Sequence, residues 1–173
     1  MKACYVTDSE RVFADLCRAK GYGVEKVPEE PTCKTPDFKV ETAIGVILVE
    51  VKQFEINELG CAIEIELEQT GMHVGDVDFN HDGGLGRKLG QQAAQLRGAS
   101  QAGFPTLGVI YSNRVLGPTD YQVQYALERG TVSIAAHISA VLYVRNEGVR
   151  GETPPFTLYN NPNAAVLFPA GLF

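Results

Sequence analysis

The sequence predicts an α/β fold, helices and strands interleaved along one domain spanning residues 1–173, and three observations carry that expectation. An amphipathic helix opens the chain, a β-branched hairpin follows near residues 37–52, and a later amphipathic helix leads into a short apolar strand near residue 106. Each step is a change of hydrophobic period between 3.6 and 2, which separates helices from half-buried strands.

Thr7-Asp8-Ser9-Glu10 has the T-x-x-E form of a capping box, and Val12, Phe13, Leu16 and Cys17 then recur at helical spacing until Gly21. Pro28, Pro31 and Pro36 turn residues 22–36 towards extended and turn conformations, because proline fixes φ and removes a donor. From Asp37 to Glu41 and from Ile44 to Lys52 the residues are β-branched or apolar, with Gly45 at the intervening turn. Cys61 to Glu68 alternates apolar and acidic residues and reads as an edge strand with one wet face. Gly71 to Gly86, rich in Gly and Asp, reads as a loop.

Leu85, Leu89, Ala93 and Leu96 form a helical stripe ending near residues 100–103, opposite a polar face with Arg87, Lys88, Gln91 and Gln95. Thr106 to Tyr111 reads as a buried strand, Thr119 to Arg129 as a helix closed by Gly130, and Thr131 to Arg145 as one long strand or two short ones. The apolar tail from Phe156 to Phe173 is expected to pack back on the sheet.

A length of 173 residues suits a single core, and 45% hydrophobic with 21% charged residues is ordinary globular composition. No run approaches the roughly 18 apolar residues of a spanning helix, and acidic residues interrupt the N-terminus before a signal-peptide core forms, so a cytoplasmic protein without membrane contact is expected. Cys4, Cys17, Cys33 and Cys61 form no C-x-x-C pair, which speaks against zinc knuckles and redox motifs and for reduced thiols. The net charge of −6 argues against strong non-specific nucleic-acid binding, so any phosphate contact must come from a local basic patch.

The chemistry concentrates in TPDF at Thr35 to Phe38 and VEVK at Val49 to Lys52. Asp37 and Glu50 lie thirteen positions apart (37 to 50), a separation that two antiparallel strands joined by a tight turn bring together. Two such carboxylates suit a hard cation that keeps water in its shell. Lys52 falls on the same strand face as Glu50, where its ammonium can orient water or stabilise developing negative charge. Plainer readings exist: Glu10 as a capping-box side chain, Asp37 as a turn residue, and Glu50 with Lys52 as an exposed ion pair.

These residues resemble the PD-(D/E)XK nuclease superfamily, and the resemblance implies a restriction-endonuclease-like fold, a central mixed β-sheet flanked by helices. It covers roughly residues 7–111 and is to a pattern, not to one close relative. It implies that Asp37 and Glu50 are metal ligands, with Glu10 of the first helix completing the set, and that Lys52 is the catalytic lysine. Gln95 matches a glutamine that some members use near the site, although no tyrosine follows at their Q-x-x-x-Y spacing.

Three other constellations carry less. Asp78 to Gly83 opens like a D-x-N-x-D-G calcium loop, but the twelfth position is Leu89 where a bidentate Glu belongs. His73 and His81 fit no zinc spacing, and GLGRKLG lacks the G-x-x-x-x-G-K-S/T spacing of a phosphate cradle. The expected function is therefore a Mg²⁺- or Mn²⁺-dependent nuclease acting on nucleic acid, DNA in preference to RNA, with Lys39, Arg87, Lys88, Arg97 and Arg114 as candidate phosphate contacts. The competing expectation is a nuclease-like module that binds without catalysis. Oligomeric state stays open, a homodimer included.

Overall fold

The computed structural model describes residues 7–28, 34–54, 58–72, 81–113, 117–128, 132–145 and 154–173. The first helix, α1 (Asp8–Ala19), begins where expected: the Thr7 hydroxyl accepts the Glu10 backbone N–H at 3.3 Å, and Asp8 and Glu10 place negative charge in the first turn. It stops at Lys20, followed by Gly21 at φ +78°, the left-handed conformation that a residue without Cβ adopts readily.

Six strands then build one sheet in chain order: β1 (Gly23–Lys26), β2 (Phe38–Thr42), β3 (Gly45–Phe54), β4 (Thr106–Ser112), β5 (Ala140–Arg145) and β6 (Phe156–Asn160). β1, β2 and β3 pair antiparallel, β3, β4 and β5 parallel, and β5 with β6 antiparallel, so the sheet is mixed. Parallel neighbours need long crossovers. Here α2 (Glu58–Thr70) and α3 (His81–Gln101) fall between β3 and β4, and α4 (Asp120–Glu128) and α5 (Val132–His137) between β4 and β5. Every position of β4 is buried, as a central strand covered on both faces requires.

Each face of the sheet has its own apolar layer. On one, Phe13, Leu16 and Cys17 of α1 meet Phe38, Val49, Val51 and the tail residues Phe168 and Leu172. On the other, the predicted stripe Leu85, Leu89, Ala93 and Leu96 packs with Phe54, Ile110, Val141 and Ile138. The alternation of β3 therefore sends Val49 and Val51 towards α1, and Leu48, Glu50, Lys52 and Phe54 towards α3. The result is an α/β fold with a central mixed sheet flanked by helices. Cys17 is a core thiol, its pKa pushed up by burial to about 12. No helix among the described residues is long and apolar enough to cross a membrane.

Three expectations are corrected. Cys61 to Glu68 lies in α2, not in an edge strand: its Glu, Leu and Ala content favours helix, and Ile63 is buried while Ile65, which alternation would place on the same face, is 53% exposed. The loop read over residues 71–86 gives way to helix at His81, because Leu85 and Leu89 are fully buried and outweigh the glycines; residues 73–80, with Asp78 and Asn80, lie outside the described residues. Within the segment read as strand over residues 131–145, Val132–His137 forms α5 ahead of β5, since Ile134 and Ile138, four apart, both enter the second core layer.

Candidate metal centre

β3 is longer than its neighbour. Its register with β2 ends at Phe38 opposite Val49, whereas its register with β4 continues to Phe54 opposite Ser112. Past Val49 the β2 side of β3 is therefore a notch in the sheet. The Val51 N–H, with no β2 residue to meet it, donates to Asp37 Oδ2 at 2.8 Å. The backbone of Asp37 is fixed in turn, its carbonyl accepting the Val27 N–H at 2.9 Å. Asp37 is thus a sheet-edge cap, held rigidly by a buried donor that would otherwise go unpaired.

On the α3 side of the notch, Glu50 is 0% exposed. Lys52 Nζ donates to its Oε1 at 2.5 Å, while Oε2 is buried and has no hydrogen-bond partner. Burial raises the Glu50 pKa to about 7, helped by the charge of Asp37 and opposed by Lys52 and the Asp37 main chain. This is not an exposed ion pair. A buried carboxylate oxygen with nothing to bind is destabilising by itself, and natural proteins keep such groups mainly where something else is to be bound.

On the α1 side stands a residue that the sequence reading passed over. Lys26, at the end of β1, places Nζ 2.6 Å from Glu10 Oε1 and 3.4 Å from Asp37 Oδ1, over the Phe38 ring at 5.0 Å. Burial works against its charge, but the two carboxylates more than offset this and its pKa is raised. Only the pairing of β1 with β2, which sets Lys26 opposite Phe38, brings it here; Pro28 and Pro31 hid that strand. The Glu10 side chain is therefore committed to Lys26.

From α3 the site receives Gln92. Its Nε2 donates to the Glu50 carbonyl at 3.0 Å and to the Val109 carbonyl at 2.8 Å, clamping β3 and β4 together beneath the carboxylate. Gln95, the glutamine singled out by resemblance, lies almost one helical turn further on, its Oε1 buried without a partner. The signal that could have found Gln92 was its place in the stripe: it precedes Ala93 and follows Leu89 by three, on the inward face. Gly108 makes room for it, because a Cβ there would lie 2.6 Å from Gln92 Oε1. Gly108→Ala is expected to displace the clamp and lower the unfolding free energy by about 1–3 kcal/mol, read from urea midpoints at constant slope.

The structure thus brings Asp37, Glu50 and Lys52 to one notch, with Glu10 attached through Lys26. Among the described residues no three His, Cys, Asp or Glu side chains gather as a metal-binding group. A hard cation such as Mg²⁺ nevertheless needs only one or two carboxylates and completes its shell with water, so the free Oε2 of Glu50 beside Asp37 fits one. Of the candidate phosphate contacts, Lys39 pairs with Glu41 at 2.7 Å, and Arg114 lies outside the described residues. Arg87 and Arg97 are exposed on α3, and Lys88 precedes Gln92 by four and so shares its face.

No protein-family model matches the sequence, and no curated protein matches it. Among solved structures the chain is similar to SfsA of Pyrococcus furiosus, determined in complex with Ca²⁺, with 12% identity and a TM-score of 0.37. The match covers 90% of this chain but 61% of that one, so the chain spans less than two thirds of its length.

Proposed function

We propose that this chain is a divalent-metal-dependent nuclease of the PD-(D/E)XK kind, hydrolysing phosphodiester bonds in nucleic acid, DNA first. The observation that supports this most is the buried, unpartnered Oε2 of Glu50 at a sheet notch shared with Asp37 and Lys52. Asp37 and Glu50 would hold Mg²⁺ or Mn²⁺, with Glu10 a third acid once freed from Lys26. When bound, such an ion lowers the pKa of water and stabilises charge on the phosphate.

The chain's own residues supply the rest. Lys52, 27% exposed at its side chain, keeps its ammonium against Glu50 and can turn it to a phosphate oxygen as negative charge develops. Gln92 fixes the strand that carries both groups, so carboxylate and amine hold their spacing. Lys88, on the Gln92 face of α3, is the cation best placed to meet the flanking phosphate. The substrate contact is local, since the chain as a whole is acidic.

Supercoiled plasmid incubated with Mg²⁺ or Mn²⁺ is expected to be nicked or linearised, and EDTA to stop the reaction completely. Cleavage that continues in EDTA would remove the metal from the account. One observation favours a second reading, a binding module without turnover: Lys26 already neutralises Asp37 and Glu10. Retention of DNA on the protein with no cleavage in either metal would select it.

A further inference from the structure

Lys26 brings a fixed positive charge to two of the acids at the notch. Its ammonium bridges Glu10 and Asp37 at 2.6 and 3.4 Å, its side chain is 19% exposed, and the Phe38 ring holds it from the other side at 5.0 Å. Glu10 is 9% exposed at its side chain, so its carboxylate has little water to fall back on. Across the notch, Glu50 Oε2 makes no hydrogen bond of ordinary geometry, the Asp37 main chain lending its carboxylate only a small stabilisation. The acids are therefore divided: one pair already carries a cation built into the chain, and one oxygen is left over.

We propose that Lys26 is a tethered cation that keeps Glu10 out of the metal's coordination shell, so that the site takes a single, weakly held divalent ion between Asp37 and Glu50. This rests on the metal-site reading given above. Its physical basis is charge count, since hard cations are held more tightly as more carboxylates face them and fewer fixed positive charges oppose them. With Lys26 in place, two acids and two ammoniums, those of Lys26 beside Asp37 and Lys52 beside Glu50, surround the ion. Removing the Lys26 ammonium adds a third acid and deletes one opposing charge in one step.

The test is calorimetric titration of the whole chain with Mn²⁺ alone. Lys26→Met is expected to bind Mn²⁺ roughly tenfold tighter than wild type, and adding Glu10→Gln to it should remove the part of that gain due to the third acid, leaving the affinity between the two. Lys26→Arg, which keeps the charge, should titrate as wild type does. In EDTA, Lys26→Met should melt below wild type because the Lys26–Glu10 ion pair is lost, and Mn²⁺ should restore more of its melting temperature than it adds to wild type. A lysine with a merely structural role would lower the melting temperature without tightening Mn²⁺ binding.

Should Lys26→Met fail to fold, Glu10→Gln alone decides: the proposal expects Mn²⁺ affinity within about threefold of wild type, and a loss of tenfold or more overturns it, because Glu10 would then be a ligand already. Wild-type binding with equal or weaker binding by Lys26→Met overturns the role of Lys26 and leaves the metal site standing. Failure of both proteins to bind Mn²⁺ overturns the two together.

Discussion

Replacing Glu50 with glutamine should make the metal-free protein more stable at pH 8 by about 3 kcal/mol, while abolishing Mn²⁺ binding. The sign follows from the raised pKa. The folded carboxyl holds its proton to about pH 7, whereas in the unfolded chain it ionises near its ordinary value of 4.5. Between those values the folded state binds more protons than the unfolded state, so stability falls as pH rises through that window and then levels off. Glutamine has no such titration, and its amide oxygen still accepts from Lys52. Urea unfolding in EDTA at pH 5 and pH 8 measures it: the two proteins should be nearly equal at the lower pH and diverge at the higher. Parallel profiles would mean that Glu50 is not the buried, uncompensated acid described here.

The second large effect is on rate. Lys52→Ala is expected to slow metal-dependent plasmid cleavage by roughly 10²–10³-fold, the cost of losing one preorganised group that stabilises developing charge. Mn²⁺ affinity should not fall, because the substitution removes a positive charge from beside Glu50 and leaves both carboxylates in place. That separation of rate from binding distinguishes a lysine acting on the substrate from one that only neutralises its neighbour. Cleavage within a few-fold of wild type would assign Lys52 the second, lesser part.

Much of this architecture is legible in the residues. The stripe Leu85, Leu89, Ala93 and Leu96, and the hairpin that places Glu50 and Lys52 on one face, follow from periodicity alone, because burial on one side imposes it. Asp37 and Glu50 were legible as a pair because a tight turn converts thirteen positions of chain into neighbouring strands. What the chain hides is set by tertiary contact. CAIEIELE alternates like a strand, yet helix-favouring Glu and Leu prevail in α2. Lys26 comes to the site through the β1–β2 register, which no local pattern near Pro28 announces. Gln92 falls on the inward face of the stripe and Gln95 on the polar face, but that Gln92 grips the Glu50 backbone follows only from the pairing of β3 with β4, with Gly108 leaving space.

Asp37 and Glu50 are proposed to share one cation at the notch where β3 outruns β2. Crystals soaked in Mn²⁺ and measured at a wavelength where manganese scatters anomalously test it directly. One anomalous peak is expected between the Asp37 carboxylate and Glu50 Oε2, with Lys26 still on Glu10. A fully occupied peak elsewhere on the chain, with this notch empty, would contradict it.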